Sequence, residues 1–175
     1  GMGRLTEASI LNVKNKSHSV TAEVAVPASG AAGVIMSQGG AYGGWSLYAH
    51  EGKPAYCYNL FGIQRFTTYG GAVIPEGTHQ VRMEFAYDGG GLAKGGAVTL
   101  FVDGTDVGKG RVEGTEPMAF SADETADVGR DTGSAVSDDY RSESSVFTGT
   151  VNWVQIDIDA AAEDLDHLIT PEERF

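Results

Sequence analysis

Period-two alternation of apolar and polar residues dominates the chain. Over residues 18–26, Val20, Ala22, Val24 and Val26 share one parity, and Ser19, Thr21 and Glu23 share the other. Over residues 78–87, Val81, Met83, Phe85 and Tyr87 alternate with Gln80, Arg82 and Glu84. Over residues 97–103, Val98, Leu100 and Val102 alternate with Thr99 and Phe101. Side chains of a strand point alternately to its two faces, so each run predicts a half-buried β-strand. Further strands are predicted at residues 9–14, 33–37, 45–50, 54–60, 64–69 and 146–158. The last run changes phase: Phe147, Val151 and Trp153 share one parity, and Val154, Ile156 and Ile158 the other. One extra residue near Trp153, a β-bulge, would restore a single buried face.

Turn chemistry separates these runs. Glu51-Gly52 predicts a tight hairpin, and Asp103-Gly104 closes the strand before it in the same way. Gly70-Gly71, Pro75-Glu76-Gly77 and Gly89-Gly90-Gly91 predict looser connections. No repeat of period 20–50 residues is present. Many short strands at spacings of about ten residues predict an all-β fold, a two-sheet antiparallel jelly-roll β-sandwich over residues 1–159. Residues 113–145 predict a long acidic surface loop holding one short strand, with unordered chain the alternative for parts of it. Residues 160–175 predict an acidic tail, either a short helix around Ala161, Leu165 and Leu168 or unordered chain. Thr170-Pro171-Glu172-Glu173 reads as a helix N-terminus with cap and capping box. The chain stops two residues later, which suggests continuation in a longer parent, and Gly1 before Met2 suggests a tag remnant.

Composition narrows the class. The chain has 175 residues, which fits one domain large enough to bury a real core. No apolar run reaches the roughly 18 residues of a membrane span. The single cysteine, Cys57, excludes an internal disulfide and a multi-cysteine zinc site, and reads as a small buried strand residue. The net charge of −12 is lopsided. Residues 1–112 hold 8 acids and 9 bases, while residues 113–175 hold 16 acids and 3 bases. A surface of that sign repels phosphate backbones, which argues against nucleic acid as a partner.

The motifs of common catalytic sites are missing from the sequence: no G-x-S-x-G, H-E-x-x-H, Walker loop or EF-hand pattern occurs. His18, His50, His79 and His167 have no metal-ligand spacing and read as structural or surface residues. Gly39-Gly40-Ala41-Tyr42-Gly43-Gly44 precedes no predicted helix, so it reads as a rim turn and not as a phosphate cradle. Asp127, Asp131, Asp138 and Asp139 lie close in sequence, with Gly129 and Gly133 between. Clustered aspartates and loop carbonyls supply the hard oxygens that calcium takes, so these four are the candidate metal ligands, set against a plain solvated loop. Ring faces stack on apolar sugar faces, and Tyr42, Trp45 and Tyr140 are the candidate ligand-binding aromatics.

Two sets of residues carry a family likeness. Gly33-Val34-Ile35-Met36-Ser37-Gln38-Gly39-Gly40, Gly44-Trp45-Ser46-Leu47-Tyr48, Gly77-Thr78-His79-Gln80-Val81-Arg82 and Leu100-Phe101-Val102-Asp103-Gly104 resemble the laminin-G/concanavalin A-like sandwich family over nearly the whole chain. Tyr58-Asn59-Leu60-Phe61-Gly62, residues 127–133 and 136–140, Phe147-Thr148-Gly149 and the closing run 168–175 resemble the C-terminal region of bacterial arylsulfatases. Those enzymes need a Cys/Ser-x-Pro-x-Arg motif. Cys57 is followed by Tyr58, Asn59 and Leu60, so no catalytic residue carries over. The resemblance implies a non-catalytic accessory domain, with a sulfatase catalytic domain or a second copy as its partner. The alternative is a lectin-like module for a sulfated or neutral glycan, with or without calcium. A glycoside hydrolase is a weaker third, since no strand presents an alternating pair of acids.

Overall fold

The computed structural model describes residues 5, 10–120 and 125–159. Ten strands follow one another: β1 (His18–Val26), β2 (Gly33–Gly40), β3 (Gly43–His50), β4 (Lys53–Leu60), β5 (Gln64–Tyr69), β6 (Gly77–Tyr87), β7 (Gly96–Val102), β8 (Thr105–Val112), β9 (Ala126–Val128) and β10 (Thr150–Ile158). They form two five-stranded antiparallel sheets, ordered β10-β1-β6-β7-β8 (the β1 sheet) and β5-β4-β3-β2-β9 (the β3 sheet). The fold is the all-β jelly-roll sandwich that the alternation predicts.

The core lies between the sheets. Val20, Ala22 and Val24 of β1, Val81, Met83 and Phe85 of β6, and Val98 and Leu100 of β7 face Ile35, Trp45, Leu47 and Tyr56 of the other sheet. In β1, β6 and β7 these are the parities read from the sequence. The phase change in β10 has the expected cause. Glu23 of β1 stands opposite Trp153 while its neighbour Val24 stands opposite Val151, so Asn152 is the extra residue. Val151, Val154 and Ile156 therefore all pack on the core, and Trp153 turns outward.

Both dipeptide turns form as tight hairpins. Glu51 and Asp103 adopt φ of 50° and 49°, and Gly52 and Gly104 adopt φ of 79° and 78°. Two successive left-handed residues match the right-handed twist of the flanking strands. One side of the sandwich is sealed where β5 meets β8. Gly71 N–H donates to Val107 O (2.7 Å), and a Cβ on Gly108 would stand 2.6 Å from Tyr69 O.

Three sequence expectations differ from the structure. Residues 10–14 form no strand: Lys14 N–H donates to Asn12 Oδ1 (3.0 Å), closing a turn, and Val13 plugs the core. Strand β8 was not anticipated, because an exposed edge strand needs few apolar residues and its Gly108 and Gly110 are there for close approach to β5. The last strand begins at Thr150, not at residue 146.

The largest difference concerns residues 113–145. The segment holds one short strand, β9, as expected, but it is no mere surface loop. Thr115, Glu116, Phe120, Asp127, Asp131, Val136 and Ser137 are all buried. Its second half folds across the outer face of the β3 sheet, where Val34, Tyr48, Ala55 and Cys57 pack with Tyr140 in a second small apolar cluster. Strands β2, β3 and β4 are therefore buried on both faces. The tail at 160–175 lies outside the described residues. No described helix is long and apolar enough to cross a membrane.

Candidate functional site

The four aspartates are engaged separately. Asp127 Oδ2 accepts from Thr132 N–H (2.9 Å) and Thr132 Oγ1 (2.5 Å), closing the turn that follows β9. Asp131 Oδ2 accepts from Val136 N–H (3.2 Å) and the Tyr140 hydroxyl (2.8 Å). Asp139 Oδ2 accepts from the hydroxyls of Tyr48 and Tyr69. Asp138 projects outward and pairs with Arg65 at 3.5 Å. Hydrogen-bond donors of the protein thus meet these carboxylates, and no group of three or more His, Cys, Asp or Glu among the described residues is placed to hold a metal ion. The acids close together in sequence fasten the loop onto the sheet.

The candidate aromatics divide. Trp45 is 0% exposed, and its indole N–H donates to Gln38 Oε1 (3.0 Å) inside the core, so it cannot meet a ligand. Tyr140 lies over the β3 sheet, donates its proton to Asp131 and accepts from Ser46 Oγ (2.9 Å). Burial first, then the Asp131 carboxylate, pushes its hydroxyl pKa well up, so it stays a neutral donor. Burial does the same to Tyr48 and to the Cys57 thiol. These are fastening residues.

Tyr42 is 77% exposed at the tip of the β2–β3 hairpin. Beside it stand Phe61 (51%) and Ile63 (86%) in the β4–β5 turn. A Cβ on Gly62 would lie 2.6 Å from Ala41 O, so the two tips touch. Asn59 holds them together: Nδ2 donates to Gly40 O (2.8 Å) and Ala41 O (3.0 Å), and Oδ1 accepts from Gly62 N–H (3.0 Å). Buried Glu116 accepts from Phe61 N–H (2.6 Å). The glycine-rich run is thus a rigid apolar tip, tightly turned.

A second surface was not anticipated. Among the described residues no element packs on the outer face of the β1 sheet, whose side chains stand in register across three strands, with Ser19 and Thr21 buried among their neighbours. Trp153, Glu23 and Gln80 form one row; Gln155, Thr21 and Arg82 the next; Asp157, Ser19 and Glu84 the third. Rows are about 7 Å apart and strands about 4.8 Å apart, so the array spans roughly 13 Å by 10 Å. Trp153 is 39% exposed at one end. At the other end is a depression of about 350 Å³ lined by Ser19, Arg82, Glu84, Asp157 and His18.

The polar groups of this face are held in place. Arg82 donates to Glu84 Oε1 (2.9 Å) and Thr21 Oγ1 (2.9 Å). Asn152 Nδ2 donates to Glu23 Oε1 (2.9 Å), and Gln155 Nε2 donates to Asp157. One exposed aromatic among hydrogen-bonding side chains on a rigid sheet suits a flat ligand with apolar faces and hydroxyl edges. The sequence signal that points to Trp153 is the phase change of β10, which turns this residue outward once the extra residue is placed at Asn152.

No family model matches the chain, and no curated protein matches its sequence. Solved structures do match in fold. Domains LG4-5 of the mouse laminin alpha1 chain superpose with a TM-score of 0.55 at 16% identity, over 89% of this chain and 39% of theirs. The chain therefore spans well under half of that laminin fragment. The CBM40 of a Ruminococcus gnavus IT-sialidase superposes with a TM-score of 0.55 at 14% identity, over 85% of this chain and 80% of that one. The same module bound to alpha2,3 sialyllactose gives 0.55 at 15% identity, covering 84% and 79%. The fold is laminin-G/concanavalin A-like, as the sequence resemblance implied.

Proposed function

We propose that this domain is a lectin-like carbohydrate-binding module whose ligand lies on the outer face of the β1 sheet. The observation that carries the reading is Trp153, a tryptophan left exposed by a bulge beside the registered polar side chains of β1, β6 and β10. A sugar ring would stack on the indole, and its hydroxyls would bond to the exposed amides of Gln80 and Gln155. The sialyllactose complex of a module with the same fold supports the class of ligand. The reading assigns the chain recognition and no chemistry of its own.

A glycan-binding screen, followed by calorimetry on the hits, tests it. Trp153→Ala should weaken binding about tenfold or more, about 1.4 kcal/mol, with thermal unfolding little changed. Full affinity in a folded Trp153→Ala protein would refute the reading.

The tip formed by Tyr42, Phe61 and Ile63 favours a second role, accessory docking. An exposed, preorganised apolar cluster fits a protein partner. The arylsulfatase resemblance names a sulfatase catalytic domain as that partner. Co-purification with such a domain, lost in Ile63→Ser, is the expected result.

A further inference from the structure

We infer that the glycan taken by this face carries free amines, as in oligomers of glucosamine, and that acidic sugars are excluded; this rests on the reading of the β1 sheet as a carbohydrate site. Each described cation on the outer face is already matched: Arg82 by Glu84, Lys109 by Asp106 at 3.0 Å, and Arg111 by Asp88. Two acids are matched only by neutral amides, Glu23 by Asn152 and Asp157 by Gln155. The face therefore keeps uncompensated negative charge at both ends of the array. A carboxylated or sulfated sugar would meet it with like-charge repulsion, and a protonated amine with attraction.

The depression points the same way. It offers the Asp157 carboxylate as an acceptor, and its one guanidinium, Arg82, is spent on Glu84 and Thr21. It is complementary to a ligand that brings donors. At the opposite end, Trp153 stands beside Glu23, and an indole face next to a carboxylate is a favourable site for an ammonium.

The test compares three probes by calorimetry on the whole chain: a glucosamine oligomer, the same oligomer N-acetylated, and sialyllactose. The amine-bearing oligomer should bind at least tenfold tighter than its acetylated form, and the margin should shrink with added salt. Glu23→Gln should erase that margin, bringing the two oligomers to within about twofold of each other. If the acetylated oligomer or sialyllactose binds as well or better, and Trp153→Ala abolishes that binding, the charge preference is wrong while the carbohydrate site stands. If no probe binds, or binding ignores Trp153→Ala, both fall.

Discussion

At His18 the cost of burial is written into the ring's titration. Burial pulls its pKa from 6.5 to about 4, against a smaller opposing effect of the bond to Lys16. As pH falls below about 6.5 the unfolded chain takes up a proton here, and the folded protein does so only near 4. The unfolded state binds more protons in that window, so stability is full above 6.5 and declines as pH drops toward 4, by up to about 3 kcal/mol. Denaturant unfolding across that range should show the decline. His18→Leu, whose apolar side chain would lie against Phe85, should flatten it; an unchanged slope would mean that other groups carry the acid response. Residue identity alone said little of this, since a histidine in a strand does not reveal its burial. The same limit applied to Trp45 and Trp153. Both are tryptophans in strands, and only their place in the sandwich makes one core and the other surface.

At the scale of elements, the strands are held as much by what is missing from certain side chains as by what is present. Gly149 precedes β10 where it passes β1, and a Cβ there would stand 1.9 Å from Ala25 O. Backbone cannot yield cheaply, so Gly149→Ala should cost about 1–3 kcal/mol and lower Tm by several degrees. At Gly114 an added Cβ meets only Leu60 Cδ2 at 3.7 Å and Ala93 O at 3.8 Å, ordinary contacts. Gly114→Ala should therefore leave Tm within about a degree, and equal losses at both sites would refute this account of β10. Strands with alternating faces were legible because half of each is core and half is solvent. Strand β8 was not, because its requirement is thinness against β5 and glycine there looks like turn chemistry. The segment over Tyr48 and Cys57 was not legible either, because its buried polar residues satisfy one another and leave no apolar pattern.

For the whole molecule, the formal charge of −12 at neutral pH is a standing repulsion within a compact body. Raising ionic strength from about 0.01 M to 0.15 M shortens the screening length from about 30 Å to 8 Å. The protein should respond with a higher Tm by differential scanning fluorimetry. A Tm that is flat or falling with salt would show that the paired groups, Arg82–Glu84 and Arg111–Asp88 among them, outweigh the repulsion.

The sequence by itself determined that the chain is a two-sheet β-sandwich, where most strands run, which parity of β1, β6 and β7 is core, and that β10 carries a bulge. Those features follow from local chemistry: side chains alternate along a strand, and Glu51-Gly52 and Asp103-Gly104 turn the same way in any context. Only the tertiary structure decided which surface is free. Covering the β3 sheet with its own acidic segment turns Asp127, Asp131, Asp139 and Tyr140 into fastenings. The β1 sheet, on whose outer face no described element packs, carries an array of Trp153, Glu23, Gln155 and Asp157. Residues on neighbouring strands are far apart in the chain, and burial is a property of what packs on top, which no local pattern records.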